Sequence, residues 1–316
     1  MIVPGTQVPV VLNPGSRRGA AAWPEVRRLL TEAGVEPRLH AVGEGRTLTS
    51  ALDEALAGRP PALVVGGGDG TVGCAAARVA GTTTVLGVLP LGTANDFART
   101  LELPGDLAAA TRNLLEGRVV DVDLGRVDGE AFLNVASLGL SVGVTQRLTP
   151  GLKRRLGPAA YPVATLLAYG RHDGFRARLE FPEGDHAPLE LDDLLQVAVG
   201  NGVHYGGGNT VSPTASVDDH LLDVYAIVRG RVRDHVSIAR FLRTGDFVEH
   251  ELVHHVTTRA VRVVTDEPMP VNLDGELAAT TPATFTVERN AVHVVVPRHS
   301  RAARLDGPAG EHPQAV

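Results

Sequence analysis

The sequence predicts an α/β protein: an N-terminal doubly wound domain followed by a mostly antiparallel β-sandwich or barrel domain. Three observations carry this. The first third alternates short β-branched runs with Ala/Leu/Arg-rich stretches, the pattern of a parallel sheet flanked by helices. Glycine-bearing loops close the strands of that third. After about residue 118 the texture changes to strand-like runs bounded by Gly, Pro, Asp or Asn. The expected layout is 1–124 for the doubly wound α/β part, 125–298 for the β-rich part and 299–316 for a disordered tail.

In the first part, VPVVLNPG (8–15) reads as a strand entering a turn, and AAWPEVRRLLTEAG (21–34) as a helix ended by Gly34. LHAVGE (39–44) is a strand and LTSALDEALAG (48–58) a helix. ALVVGGGDG (62–70) is a strand and glycine loop, TVGCAAARVAG (71–81) a helix, and TTTVLGVLPLG (82–92) a further strand and loop. In such a sheet, ligands collect at the carboxyl ends of the strands. In the second part VVDVDLGRVDGEAFLNVASLG reads as strand, hairpin and strand, and seven further strand-like runs follow. Two helical stretches interrupt them, 159–171 and 234–247.

Length and composition bound the function. At 316 residues, two domains with sizeable cores fit. A net charge of -6 argues against a nucleic-acid binder. No apolar run reaches the roughly 18 to 20 residues that span a bilayer, and the N-terminus lacks the pattern of a signal peptide. Cys74 is the single cysteine, which excludes a disulfide framework and a thiolate metal cluster. A cytoplasmic protein that touches membrane surfaces transiently is expected. Lys153 is the only lysine, so cationic work falls to arginine or a metal ion.

The glycine loop VVGGGDGTV (64–72) sets bare backbone around Asp69. Glycines let N–H groups approach phosphate oxygens, a helix start adds positive potential, and an aspartate orients a magnesium ion bridging them. The stretch also matches G-x-G-x-x-G. Against a dinucleotide fold, this is not the first strand–turn–helix unit, no acidic residue ends the next strand, and Asp69 would repel a pyrophosphate. A tight turn with a helix cap is the plain structural reading, but four glycines exceed what a turn requires. LPLGTANDFAR (89–99) adds Gly92, Thr93, Asn95 and a second carboxylate, Asp96, whose plain reading is an N-cap. NPGSRRG (13–19) adds turn donors from Asn13 and Ser16, with Arg17 and Arg18.

These motifs, in this order and spacing, resemble the catalytic domain of the diacylglycerol kinase, sphingosine kinase and bacterial YegS-like lipid kinase superfamily. FLNVASLGLSVGV, VAVGNGVHYGGGNTVSPTASVDDHLLDV and VNLDGEL resemble its β domain, so the resemblance covers roughly residues 8 to 297. It implies an NAD kinase-like nucleotide domain and a lipid hydroxyl phosphorylated in the cleft between the domains. ATP is the implied co-substrate and Mg2+ the implied cofactor. The nucleotide-binding set is Asn13, Ser16, Arg17, Gly67, Gly68, Asp69, Gly70, Thr71, Gly92, Thr93 and Asn95. Asp69 and Asp96 organise the catalytic metal, and Glu276 in NLDGE is the general base. Without the resemblance, NLDGE reads as an Asp-Gly turn with an incidental glutamate.

The resemblance also implies a structural Mg2+ held by the Ser216 carbonyl, the Asp219 carboxylate and the Leu221 carbonyl. The family usually has glycine where His220 stands, which puts this site in doubt if φ there is positive. Arg17 stands where a small residue is common, and AVGEGR (41–46) lacks the hydroxyls often found there. Diacylglycerol is the expected acceptor, with a sphingoid base, ceramide or phosphatidylglycerol as alternatives.

Two rival classes stay open. His250-Glu251-Leu252-Val253-His254 matches H-E-x-x-H, the pattern of a zinc hydrolase, although helical character fades near Phe247. A non-catalytic lipid- or nucleotide-binding module on the same fold is the other. The stretch 151–178, with Lys153, Arg154 and Arg155 beside apolar residues, is the candidate contact with a peripheral membrane surface. Trp23 reads as a core or helix-start residue, and Asn134 and Asn201 as loop-ordering or ordinary turn residues.

Overall fold

A computed structural model describes residues 2–43, 45–147, 173–205, 209–210, 217–231, 247 and 250–305. The expected helix at 159–171, all of the expected helix at 234–247 except Phe247, the basic stretch 153–155 and Ser216 lie outside the described residues.

The N-terminal part alternates as expected: β1(Gln7–Leu12), α1(Gly19–Glu32), β2(Glu36–Ala41), α2(Leu48–Leu56), β3(Ala62–Gly67), α3(Asp69–Val79) and β4(Val85–Pro90). α4(Asp96–Thr100) and α5(Leu107–Glu116) follow. β1 pairs in parallel with β2 on one side and β3 on the other, and β3 pairs with β4. The order is therefore β2-β1-β3-β4, and the chain reverses its winding between β1 and β3. That reversal opens a crevice at the carboxyl ends of these two strands. β3 and β4 are buried at every position, because helices cover both faces. Val10, Leu12 and Val64 face α1 and α5, while Val11, Leu63 and Val65 face α2 and α3, the two-residue period of a strand.

The second part is β5(Arg118–Val127), β6(Glu130–Phe132), β7(Val135–Gly139), α6(Leu140–Arg147), β8(Phe175–Glu180), β9(Leu189–Gly200), β10(His204–Tyr205), β11(Asn209–Thr210), β12(Leu222–Val228), β13(Val253–Thr258), β14(Ala260–Thr265), β15(Pro270–Leu273), β16(Glu276–Thr280) and β17(Ala283–Val296). Its ladders are antiparallel. Leu138, Val197, Val199, Leu222, Val224, Val261 and Phe285 fill its core.

β17 belongs to both parts. Ala283–Thr286 pairs with β14, while Val294 pairs in parallel with Leu86 of β4, and β5 runs antiparallel along its length. The β17–β5 ladder shifts register between Glu288 and Val292. The excess residues there bend the strand from one sheet direction to the other.

Three elements depart from the sequence reading. α5 was not expected; it is capped by Asp106, whose carboxylate accepts the Ala109 N–H at 2.9 Å. α6 was not expected either. The tail does not begin disordered, because Arg301–Leu305 forms a short helix, α7, with Ala302 and Ala303 buried. Arg118 donates to the Ala303 carbonyl at 3.0 Å, and five residues are too few to display an apolar period. Trp23 packs against the α1 core.

Candidate functional site

The crevice at the switch point is an open cleft of about 410 Å³. Asn13, Gly15, Ser16 and Arg17 line it from the β1–α1 loop, Gly68, Asp69, Gly70 and Thr71 from the β3–α3 loop, and Gly92 and Thr93 after β4. Leu48 stands at the start of α2, and Glu276 enters from the β domain. Three loops far apart in sequence are thus brought to one edge with a carboxylate from the second half.

Steric demand separates the glycines. A Cβ on Gly67 would stand 2.4 Å from the Thr71 Cβ, and one on Gly92 2.4 Å from the Gly68 Cα. Packing alone excludes side chains there. A Cβ on Gly70 meets nothing within 4 Å. Packing does not require a bare backbone at Gly70, which lines the cleft at the start of α3, where N–H groups lack intrahelical partners.

The loops are tied to each other. Asn13 Nδ2 donates to Thr71 Oγ1 at 2.9 Å, and Asn13 Oδ1 accepts the Gly15 N–H at 2.9 Å. Asn95 adopts φ 52 and closes its loop through Gly92, accepting the Gly92 N–H at 2.9 Å and donating to the Gly92 carbonyl at 3.2 Å. Asn95, not Asp96, occupies the cap position of α4; Asp96 lies in the first turn and is buried. The arginines diverge: Arg17 lines the cleft, whereas Arg18 donates to the carbonyls of Pro90 at 2.7 Å and Gly105 at 2.9 Å and fastens the fold. Among the cleft calls, Gly67 and Asn95 support the lining residues from behind.

Asp69 Oδ1 accepts the Phe97 N–H at 3.1 Å. Burial pushes its carboxyl above the ordinary value, the Phe97 N–H offsets part of this, and nearby Asp96 pushes in the same direction as burial. Asp69 lines the cleft, while Asp96, buried and not part of the lining, stands beside it; carboxylate oxygens suit a hard cation.

Glu276 is presented by a tight hairpin. Asp274 (φ 47) and Gly275 (φ 107) both adopt the left-handed conformation between β15 and β16, the two-residue turn that matches strand twist. The Asp274 carboxylate accepts three successive N–H groups, from Leu133 at 2.6 Å and from Asn134 and Val135 at 3.0 Å each. Burial pushes Asp274 up to about 6 against those donors, with Asp69 adding a smaller push. Asn201 donates from Nδ2 to the carbonyls of Asp123 and Leu133 at 3.0 and 3.1 Å, so it orders this corner.

The loop expected to hold a structural metal has a different donor arrangement. Asp219 Oδ1 accepts the Leu221 N–H at 3.0 Å. His220 has φ 61 and donates its backbone N–H to Asp123 Oδ2 at 2.7 Å. Asp123, Asp218 and His220 cluster with ligand-type atoms within 4.8 Å of one another. Asp123 carried no weight in the sequence reading; its neighbours VVDVD looked like an ordinary strand.

The H-E-x-x-H rival does not form, in line with the fading helical pattern near Phe247. Glu251 and Leu252 form a turn and Val253–Thr258 is strand β13, so His250 and His254 do not share one helical face. His250 Nδ1 accepts the Leu252 N–H at 3.2 Å, and His254 stands opposite Ala226 in the ladder.

Comparison with known proteins agrees with this geometry. Residues 7–127 match the diacylglycerol kinase catalytic domain, and residues 134–296 match the YegS C-terminal NAD kinase beta sandwich-like domain. A protein of Pseudomonas aeruginosa PAO1 named probable lipid kinase YegS-like is 36% identical over 277 residues, covering 86% of this chain and 89% of that one. A protein of Bacillus subtilis strain 168 named diacylglycerol kinase is 28% identical over 302 residues, covering 94% and 98%. Among solved structures, a diacylglycerol kinase from Bacillus anthracis str. Sterne superimposes with a TM-score of 0.69 at 21% identity, covering 92% of this chain and 96% of that chain; this likeness shows the fold. Among the described residues no helix is long and apolar enough to cross a membrane. With both domain matches spanning the two halves, the chain belongs to the diacylglycerol kinase and YegS-like family of lipid kinases.

Proposed function

We propose that this lipid kinase transfers the γ-phosphate of ATP to the hydroxyl of diacylglycerol, with residues 1–124 holding the nucleotide and residues 125–298 the acceptor. The observation that carries the proposal is the placement of Glu276 in the same cleft as Asp69 and the three glycine-bearing loops. The backbone N–H groups around Gly68 and Gly70 and the Thr71 hydroxyl receive phosphate oxygens, Ser16, whose hydroxyl donates to the Asn13 carbonyl at 2.7 Å, shapes the first loop around them, and Arg17 supplies the positive charge at the rim. Asp69, with Asp96 buried behind it, would hold a magnesium ion, which would supply charge neutralisation of the phosphates. Glu276 is exposed and aimed by its turn, placed to accept the proton of the attacking hydroxyl. Asp274 sits behind it and fixes the turn. The acceptor approaches from a membrane surface at which the protein docks transiently.

The test is transfer of labelled γ-phosphate from ATP to a panel of lipid alcohols, with magnesium and with chelator. Diacylglycerol is expected to be labelled well above ceramide, sphingoid base and phosphatidylglycerol. Glu276→Gln is expected to reduce turnover by about 10²- to 10⁴-fold while leaving nucleotide affinity within about twofold. Undiminished turnover in Glu276→Gln removes the base; preferential labelling of another lipid alcohol removes diacylglycerol.

A further inference from the structure

We infer that Leu277, on the edge strand that starts at Glu276, receives the apolar chain of the acceptor lipid and so seats the acceptor hydroxyl at Glu276; this rests on the reading of Glu276 as the base. Among the described residues, the exposed large hydrophobic side chains are Leu277 at 46% and Val3 at 41%. Val3 precedes β1 and takes no part in the cleft lining. Leu277 directly follows Glu276, which among the described residues is the β domain's contribution to that lining, and is itself outside it. In phosphoryl transfer the attacking and leaving oxygens lie roughly in line, so the hydroxyl reaches the γ-phosphate from the side opposite the loops that hold the rest of the nucleotide. An acceptor that leaves a lipid phase brings its apolar chain along that same side. The exposed apolar side chain adjoining Glu276 is Leu277.

The strand itself suits such a contact. Among the described strands β16 pairs with β15 alone and forms the edge of the sheet. Exposed edges are ordinarily guarded by charged side chains or proline. β16 has neither after Glu276: Leu277, Ala278, Ala279 and Thr280 follow, and Leu277, Ala278 and Thr280 are exposed. Leu277 stands opposite Asn272 and Ala279 opposite Val271, so Ala278 is the extra residue of a bulge, a device that re-aims side chains beside active sites. Leu277 is also held in register with the base. Its cross-strand partner Asn272 is 4% exposed, accepts the Gly275 N–H through Oδ1 at 2.9 Å and pairs with Ser137 of β7. One buried anchor therefore fixes both the apolar side chain and the turn that aims Glu276.

Steady-state kinetics of the full chain with dioleoylglycerol in mixed micelles, and with dibutyrylglycerol, whose short chains offer little apolar surface, test this. Leu277→Ser is expected to raise KM for dioleoylglycerol about tenfold, the effect of losing one leucine's burial against the chain. Its kcat, its KM for ATP and its KM for dibutyrylglycerol are expected to stay within about twofold, and its melting temperature within a few degrees, because the replaced side chain is exposed. Leu277→Met keeps the apolar volume and is expected to restore KM. An unchanged KM for dioleoylglycerol in Leu277→Ser overturns the inference, and so does a fall in kcat alone, which would assign Leu277 to the turn. A second readout needs no turnover. The emission of Leu277→Trp, taken over the wild-type baseline of the single Trp23, is expected to shift to the blue with dioleoylphosphatidylcholine vesicles containing dioleoylglycerol. No shift overturns the inference. If wild type leaves dioleoylglycerol unlabelled, the proposed acceptor falls, and the tryptophan emission still decides the role of Leu277.

Discussion

The Asn13 side chain donates to the Thr71 hydroxyl at 2.9 Å, tying the loop after β1 to the first turn of α3. The two residues are 58 positions apart, and the bond spans the point where the sheet reverses its winding. Asn13→Ala removes this bond and the support of the Gly15 N–H. It is expected to weaken ATP binding about tenfold, near the value of one lost hydrogen bond, in calorimetric titration. Unchanged affinity would separate the first loop from the nucleotide.

Gly70 and Gly92 make opposite demands. In Gly70→Ala the new methyl meets open space, so the melting temperature is expected to stay within a few degrees while nucleotide affinity falls more than about tenfold. In Gly92→Ala the methyl presses on the Gly68 backbone, and both stability and affinity are expected to fall. Full nucleotide affinity in Gly70→Ala would reduce the glycine loop to a turn.

Arg17 and Arg18 are adjacent and differ in task. Arg17→Ala is expected to reduce nucleotide affinity by roughly tenfold with little change in melting temperature, since Arg17 lines the cleft. Arg18→Ala loses the bonds to the Pro90 and Gly105 carbonyls and is expected to lower the melting temperature first. Paired melting curves and titrations of the two variants check this; equal effects on binding would contradict it.

Asp274 makes stability depend on pH in a defined direction. Its carboxyl rises from 3.8 to about 6 on folding, chiefly through burial, so the folded state holds its proton more tightly than the unfolded state. The contribution is fully present below about pH 4 and is lost as pH rises through about 6, on the order of 3 kcal/mol across the window. Asp274→Asn, neutral throughout, is expected to flatten this part of the profile in melting curves taken from pH 4 to 7. In kinetics it is expected to lower kcat more than it raises KM, because the turn that aims Glu276 loosens. An unaltered pH profile would show that the group does not titrate in this window.

What the sequence determined by itself is local: the β-branched runs, the helices between them, the Asp-Gly hairpin, and which loops follow which strands. These depend on spacing and on residues within one turn or one strand. The short α7 escaped because five residues show no periodicity, and α5 because its only sharp signal is one capping aspartate. Tertiary structure decided which loops share an edge, since the winding reverses only when β3 docks beside β1. It also decided the bend that lets β17 serve two sheets, and the partners of Asp123 and Asp274, which lie about 100 or more residues away. A carboxylate buried by distant backbone leaves no mark in its own neighbourhood, because the N–H groups that hold it are present in every residue except proline.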